Sequence, residues 1–404
     1  MNALRTFFRD LTLKPQGMVM VIAAFLPIIA IVAMGPAVPA MIAHFADDPD
    51  ARAQVPAMIG APGLTMALLA PFAGLLVDRF GRRPLLLAGT LSYAFFGAAP
   101  LLLDNLDQIY VSRLLLGVSE GIILTVVNTL IGDYWDDKGR KNWLFLQGIL
   151  GPFIAGIVAV IVGYATTIQW NGVFYVYLVA LPIWIAMVAW IFEPGKAADK
   201  AKESIAAPSA VTPFPWASAL TIAAVTFFFS MLYYVFIING SLVFAEVGVT
   251  DSRAYAAIIF VPQLFILLGA VIFRAIASRS YKFQLGVVLT LLGSGLAGMG
   301  LASTAGTMAA ALIVQQTAAG MTVPTLIAWA QTKFDFAHRG RGMGIWTAAF
   351  FLAQSQSPGM VHALDVRFGS MQGAFFAAGL AALAGALVAL GLFATEKKPA
   401  TSAT

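Results

Sequence analysis

The chain has 404 residues, 60% hydrophobic and only 11% charged, with a mean hydropathy of +0.86, a formal charge of +5 and no cysteine. Charged residues approach a quarter of an ordinary soluble domain, so the composition excludes one and points to a polytopic membrane protein. Disulfides and thiolate sites are ruled out, and three histidines (His44, His338, His362) argue against a histidine metal centre. Long unalternated apolar runs such as 285–301 and 374–393 favour helices over a membrane β-barrel, whose strands alternate in polarity.

One bilayer crossing takes about 20 helical residues. Cutting at charged and turn-rich clusters predicts twelve spans: 17–45, 53–77, 84–103, 107–134, 141–167, 171–192, 214–246, 252–278, 283–303, 305–333, 341–365 and 370–394. Of the 24 Lys and Arg residues, 20 fall on one side of this arrangement, Arg113 falls within a span, and Arg52, Arg253 and Arg367 fall on the other side. The positive-inside rule makes the basic side cytoplasmic and places both termini there. The positive charge is thereby explained by topology, and no nucleic-acid partner is expected.

The first span follows Arg5, Arg9 and Lys14 and reads as a retained helix rather than a cleaved signal, since eleven more spans follow. It carries no acid. Between the second and third spans stands Gly74-Leu-Leu-Val-Asp78-Arg79-Phe-Gly81-Arg82-Arg83-Pro84. The glycines allow a tight bend, and the guanidinium groups can bridge carboxylates or lipid phosphates. This loop resembles the G-x-x-x-D-R-x-G-R-R signature of the major facilitator superfamily at every defined position. The resemblance implies an all-α integral membrane fold of twelve transmembrane helices in two pseudo-symmetric six-helix bundles. It also implies that the loop is a conformational gate, with Asp78 against the start of the eleventh span and a loop arginine paired to an acid closing the fourth, for which Asp133 is the candidate.

The fourth span holds the two ionisable residues that lie clearly within the hydrocarbon, Arg113 and Glu120. An intramembrane charge is costly unless paired or hydrated, so its default reading is functional. Their spacing gives about 10.5 Å of rise and roughly two full turns, so both can face one cavity without touching. The segment Arg113-Leu-Leu-Leu-Gly117-Val-Ser-Glu-Gly121 resembles the R-x-x-Q-G-x-x-x-G signature of the superfamily's proton-driven drug exporters, with Leu116 in place of the glutamine. The resemblance gives Arg113 a proton-coupling role, and Glu120 is the expected proton carrier beside it.

The fifth span contains Gly148, Gly151, Pro152, Ala155 and Gly156, small residues that let a neighbour approach around a helix-opening proline. It resembles the exporters' G-P-x-x-G-G element, with Ala155 replacing a glycine. At the start of the sixth span, Trp170-Asn171-Gly172-Val173-Phe174 is similar to their W-R-x-x-F element, with Asn171 replacing the arginine.

Residues 194–213 form the one sizeable polar stretch and divide the spans six and six: an N-terminal bundle over 1–193, a cytoplasmic linker over 194–213, and a C-terminal bundle with a short tail over 214–404. The basic loop Lys138-Gly139-Arg140 recurs as Arg339-Gly340-Arg341 at an offset of about 201 residues, as in transporters built from repeats that bind substrate between their halves. In the second half, the counterpart loop around Arg279-Ser280-Tyr281-Lys282 lacks the aspartate and glycines of the first. Candidate substrate contacts, beside Glu120 and Arg113, are Phe229, Tyr233, Tyr234 and Asn239 on the seventh span, Gln263 on the eighth, Gln315 or Gln316 on the tenth, and Gln354 on the eleventh. Aromatic faces with a few amides suit a drug-sized amphipathic guest. His362 and Asp365, at the far end of the eleventh span, are expected to be solvated.

With no nucleotide-binding motif, the expected function is a secondary exporter that exchanges amphipathic molecules for protons by alternating access. The alternative is a proton-coupled uptake carrier or uniporter in which Arg113 holds a substrate carboxylate and Glu120 the proton. No enzyme activity, metal or cofactor is expected beyond the proton as coupling ion. The expected setting is a plasma membrane, the inner membrane of a bacterium, with the protein as a monomer.

Overall fold

Five helices begin where the chain, leaving a loop, supplies a capping side chain. Asn105 accepts from the Gln108 amide, Asp136 from Gly139, Asp251 from Ala254 and Ser280 from Phe283, while Thr304 and Thr307 cap each other reciprocally. Each cap satisfies amides that lipid could not.

The computed structural model describes residues 15–194 and 213–394, so the linker expected over 194–213 lies almost wholly outside the described residues, as do Arg5, Arg9 and Lys14. The chain forms α1 (Pro15–Ala23), α2 (Leu26–His44), α3 (Ala51–Leu69), α4 (Ala73–Phe80), α5 (Arg82–Ala98), α6 (Leu106–Tyr134), α7 (Asp137–Ile168) and α8 (Ala180–Trp190). The second half forms α9 (Trp216–Ala245), α10 (Ser252–Leu264), α11 (Ile266–Ala275), α12 (Tyr281–Gly300), α13 (Ala305–Gln331), α14 (Phe336–Phe368) and α15 (Met371–Ala394). Short 3-10 turns cover Ala99–Leu101 and Gly172–Val179, and no strand occurs among the described residues.

Four predicted spans are not single rods. The first is split into α1 and α2, the sixth opens as a 3-10 helix before α8, and the eighth breaks at Phe265 between α10 and α11. The second bends by 70° between α3 and α4, at the turn containing Pro71, which cannot donate to a helical ladder. Ten helices are long and apolar enough to cross a membrane by themselves, and the bent α3–α4 pair makes eleven among the described residues. The remaining predicted span, α14, has the length, at 33 residues, but is too polar for that test. Its Gln354, Ser357 and Asp365 are buried, so this polarity is turned toward protein.

Within the first half, α6 packs on α3 and α5; within the second, α12 packs on α13 and α15, and α9 on α14. The halves meet most extensively along two seams, α3 with α14 and α7 with α10, and α2 also packs on α9 and α10. The two seams pair the second span with the eleventh and the fifth with the eighth, which a six-span offset interchanges, as pseudo-twofold symmetry requires. Along the first seam a Cβ at Gly60 would lie 2.7 Å from the Gln354 carbonyl oxygen, and one at Gly63 2.5 Å from that of Phe351, so backbones touch where side chains are absent. The seam runs on to Gly344 against the Ala70 carbonyl. Beyond the bend, α4 packs on α5 and α6 of its own half.

Candidate functional site

Arg113 is placed by a defect in the preceding helix. The carbonyl of Phe96 would normally accept from residue 100, but Pro100 has no N–H, and α5 ends two residues after Phe96. Arg113 Nη2 supplies the missing donor, at 2.6 Å to Phe96 O and 2.8 Å to Gly97 O, and Nε reaches Ser112 Oγ at 3.3 Å. The guanidinium also lies 5.1 Å from the Phe174 ring centroid and 5.0 Å from that of Tyr177. Tyr177 and Tyr93 in turn donate to the Ala30 and Leu26 carbonyls and so fix α2 against the site.

Glu120 lies two turns further along the same face of α6 and is 2% exposed, against 1% for Arg113. The two form no direct ion pair. Arg113 Nη1 and Glu120 Oε1 are both buried with no hydrogen-bond partner among the described residues. Both line a small cavity with room for about one water molecule. Tyr177, Met58 and Pro62 complete it from the first half, and Gln354 of α14 reaches it from the second. The cavity therefore sits on the seam between the halves, where a carboxyl free of fixed bonds can exchange a proton or meet a ligand as the seam opens.

The loop between the second and third spans is tied to its own half. Gly81, with φ +81°, makes the corner between α4 and α5. Glu193 spans the start of α5, accepting from the Arg82 amide at 2.8 Å and the Arg83 amide at 2.7 Å. Arg82 Nε reaches Asp133 Oδ2 at 3.2 Å, and Arg83 donates to the Ile191 and Val188 carbonyls. Arg79 and Asp78 are exposed, Arg79 over the Phe80 ring, and Asp78 makes no hydrogen bond or ion pair among the described residues. Gly74 is likewise open.

Residues 20–334 match the family described as the Major Facilitator Superfamily. The chain belongs to that superfamily. In fold it is similar to a POT family transporter solved with a thioalcohol conjugated peptide (TM-score 0.76, 13% identity, 95% of this chain and 97% of that one). It is similar again to a D-xylose-proton symporter (TM-score 0.72, 14% identity, 93% and 96%). By sequence it is 27% identical to the efflux pump dotC of Dothistroma septosporum over 41% of this chain, and 28% identical to the multidrug transporter protein MdtP of Bacillus subtilis over 32%. The matches span only 29% and 23% of those two proteins. The tetracycline resistance protein, class C, of Escherichia coli aligns more fully, at 24% identity over 81% of this chain and 84% of that one.

As a Major Facilitator Superfamily member the protein is a multi-pass membrane transporter and not an enzyme, with drug-efflux relatives at low identity. Of the residues singled out in its sequence, Arg113, Glu120 and Gln354 converge on one cavity. Tyr233 and Tyr234 instead join Phe350, at 6.0 and 5.5 Å between centroids, and Trp346 stacks on Phe350 at 5.3 Å. Phe229 is buried, Asn239 Nδ2 donates back to Val235 O within its own helix, and Gln263 and Gln316 are buried away from the cavity lining. Gln315 is fully buried with neither amide atom partnered. In α7, Gly151, Pro152, Ala155 and Gly156 are buried while Gly148 is open, and Gly156 abuts Phe260 of α10.

Three features escaped the sequence reading. Trp346 and Phe350, one helical turn apart, carried an aromatic signal on the eleventh span. Glu193, the last residue of the N-terminal bundle, belongs to no motif and only borders the polar linker. Asp365 is not solvated: it is 7% exposed and paired with Arg52, because the start of α3 covers it.

Proposed function

We propose that the protein is a proton-coupled exporter of lipophilic or amphipathic molecules, working as a monomer in a plasma membrane with its basic end and both termini in the cytoplasm. The observation that carries the reading is Glu120, a buried carboxyl with an unpartnered oxygen, in a cavity that residues of both halves close. Protonation and substrate occupancy compete for this group, and competition is what links opposite movements. The membrane potential adds about 2.3 kcal/mol per charge per 100 mV to the driving force. The names of the efflux, multidrug-transport and tetracycline-resistance relatives support export of drug-like molecules. Arg113, engaged with two carbonyls and covered by two rings, orients the cavity rather than receiving cargo.

In this reading the 74–83 loop is the cytoplasmic gate. Asp78 docks on the amides at the start of α14 when the cytoplasmic ends close, while Arg82 and Asp133 hold the loop to its half. Gly151, Pro152, Ala155 and Gly156 let α7 slide on α10.

The test is transport in sealed proteoliposomes against a substrate panel that includes tetracycline, with pH gradients of both signs. Glu120→Gln should insert normally and lose gradient-driven export. Undiminished driven export by that variant would remove Glu120 from the mechanism, and flux along the proton gradient in the same direction would make the protein an uptake carrier.

A further inference from the structure

At the end of the α3–α14 seam remote from the basic loops, Arg52 Nε lies 3.2 Å from Asp365 Oδ2 and Nη2 3.4 Å from Oδ1, with Nη2 3.1 Å from Oδ2. The partners are 313 residues apart and belong to different halves. The Asp365 side chain is 9% exposed and that of Arg52 57%, so the pair is half sheltered. Its placement is unusual. Arg52 stands in the first turn of α3 and Asp365 in the last turn of α14, so each charge faces the like-signed end of its own helix dipole. Neither residue stabilises the helix that carries it, and each gains only from the other across the seam. Asp47, Asp48 and Asp50 precede Arg52 in the adjoining turn, and His362 and Arg367 flank Asp365 on α14.

We infer that the Arg52–Asp365 pair is a latch that holds the halves together at this end and must part for the transporter to open there. Helix packing gives the latch its lever. Between the pair and the bend at Pro71, Gly60 and Gly63 keep α3 in backbone contact with α14, and past the bend α4 leaves the partner half. The structure thus has one end of the seam locked and Asp78, at the other end, without a partner among the described residues. The inference rests on the alternating-access reading, but its readout is a distance and stands whether or not protons or any tested cargo move.

The absence of native cysteine allows spin labels at Ala46→Cys and Phe368→Cys, one in each half beside the latch. Arg52→Gln or Asp365→Asn should raise the long-distance population about fivefold in double electron–electron resonance, the effect expected of a half-buried pair. The exchange Arg52→Asp with Asp365→Arg should restore the short distance, since it rebuilds the pair and reverses both dipole conflicts. Arg52→Lys, which keeps the charge without the fork, should fall between. Single variants with the parental distribution, or an exchange variant as open as either single, overturn the latch.

Discussion

A carbonyl deprived of its donor decides what Arg113 is for. Pro100 leaves Phe96 O unsatisfied, the guanidinium fork fills it together with Gly97 O, and Phe174 and Tyr177 cover the cation. Lysine has the charge but neither the fork nor the plane. Arg113→Lys should therefore lower stability by about 3 kcal/mol, seen as a lower thermal unfolding midpoint in detergent. Arg253→Lys is the control. Arg253 lies over Tyr164 at 5.4 Å but is exposed, and its substitution should change stability by no more than about 0.5 kcal/mol. The rarity of an intramembrane arginine was legible in the sequence. Its partners were not, because they depend on where α5 stops and on how the sixth span folds back over it.

Helix α6 approaches α3 at Gly117, where an added Cβ would collide with the Pro62 carbonyl and the Thr65 hydroxyl, the latter already donating to Leu114 O at 2.8 Å. Backbone cannot move aside as a flexible side chain can. Gly117→Ala should push α6 from α3 and cost about 1–3 kcal/mol by the same unfolding measurement. Gly121→Ala, one turn on, meets nothing closer than Leu69 Cδ1 at 3.7 Å and should be neutral. Equal effects of the two would mean that the helices are free to shift. Eleven of the twelve predicted spans are long and apolar enough to cross a membrane, because lipid demands long apolar runs whatever their neighbours. The interruptions were less readable. Pro71 signals the α3–α4 bend, whereas Phe265 carries no breaker of its own, and its amide turns back to the Pro262 carbonyl at 3.0 Å. The polarity of α14 is intelligible only once it is seen to face α3 and α9.

Across the whole molecule, the second span carries two charged groups of opposite situation, Arg52 at the start of α3 and Asp78 on α4. Asp365 is paired 313 residues away with Arg52, a contact no local pattern announces, and Asp78 is exposed and unpaired among the described residues although its motif was complete in the sequence. A motif specifies residues needed in some state of a cycle, and this conformation is the one in which the far end of the seam is shut. Asp78→Asn should accordingly leave the stability of this conformation within about 0.5 kcal/mol, since no bond is lost. It should weaken the opposite conformation by about 1 kcal/mol, the worth of a carboxylate at a helix start. Labels at Leu75→Cys and Thr332→Cys, at the basic ends of the two halves, should then report fewer closed basic ends than in the parent. Transport should slow more than equilibrium binding weakens. Combining Asp78→Asn with Arg52→Gln should bring the two populations back toward the parental ratio, because each substitution destabilises one of the two states. A double variant no closer to that ratio than Asp78→Asn alone would show that the two ends of the seam act on separate equilibria.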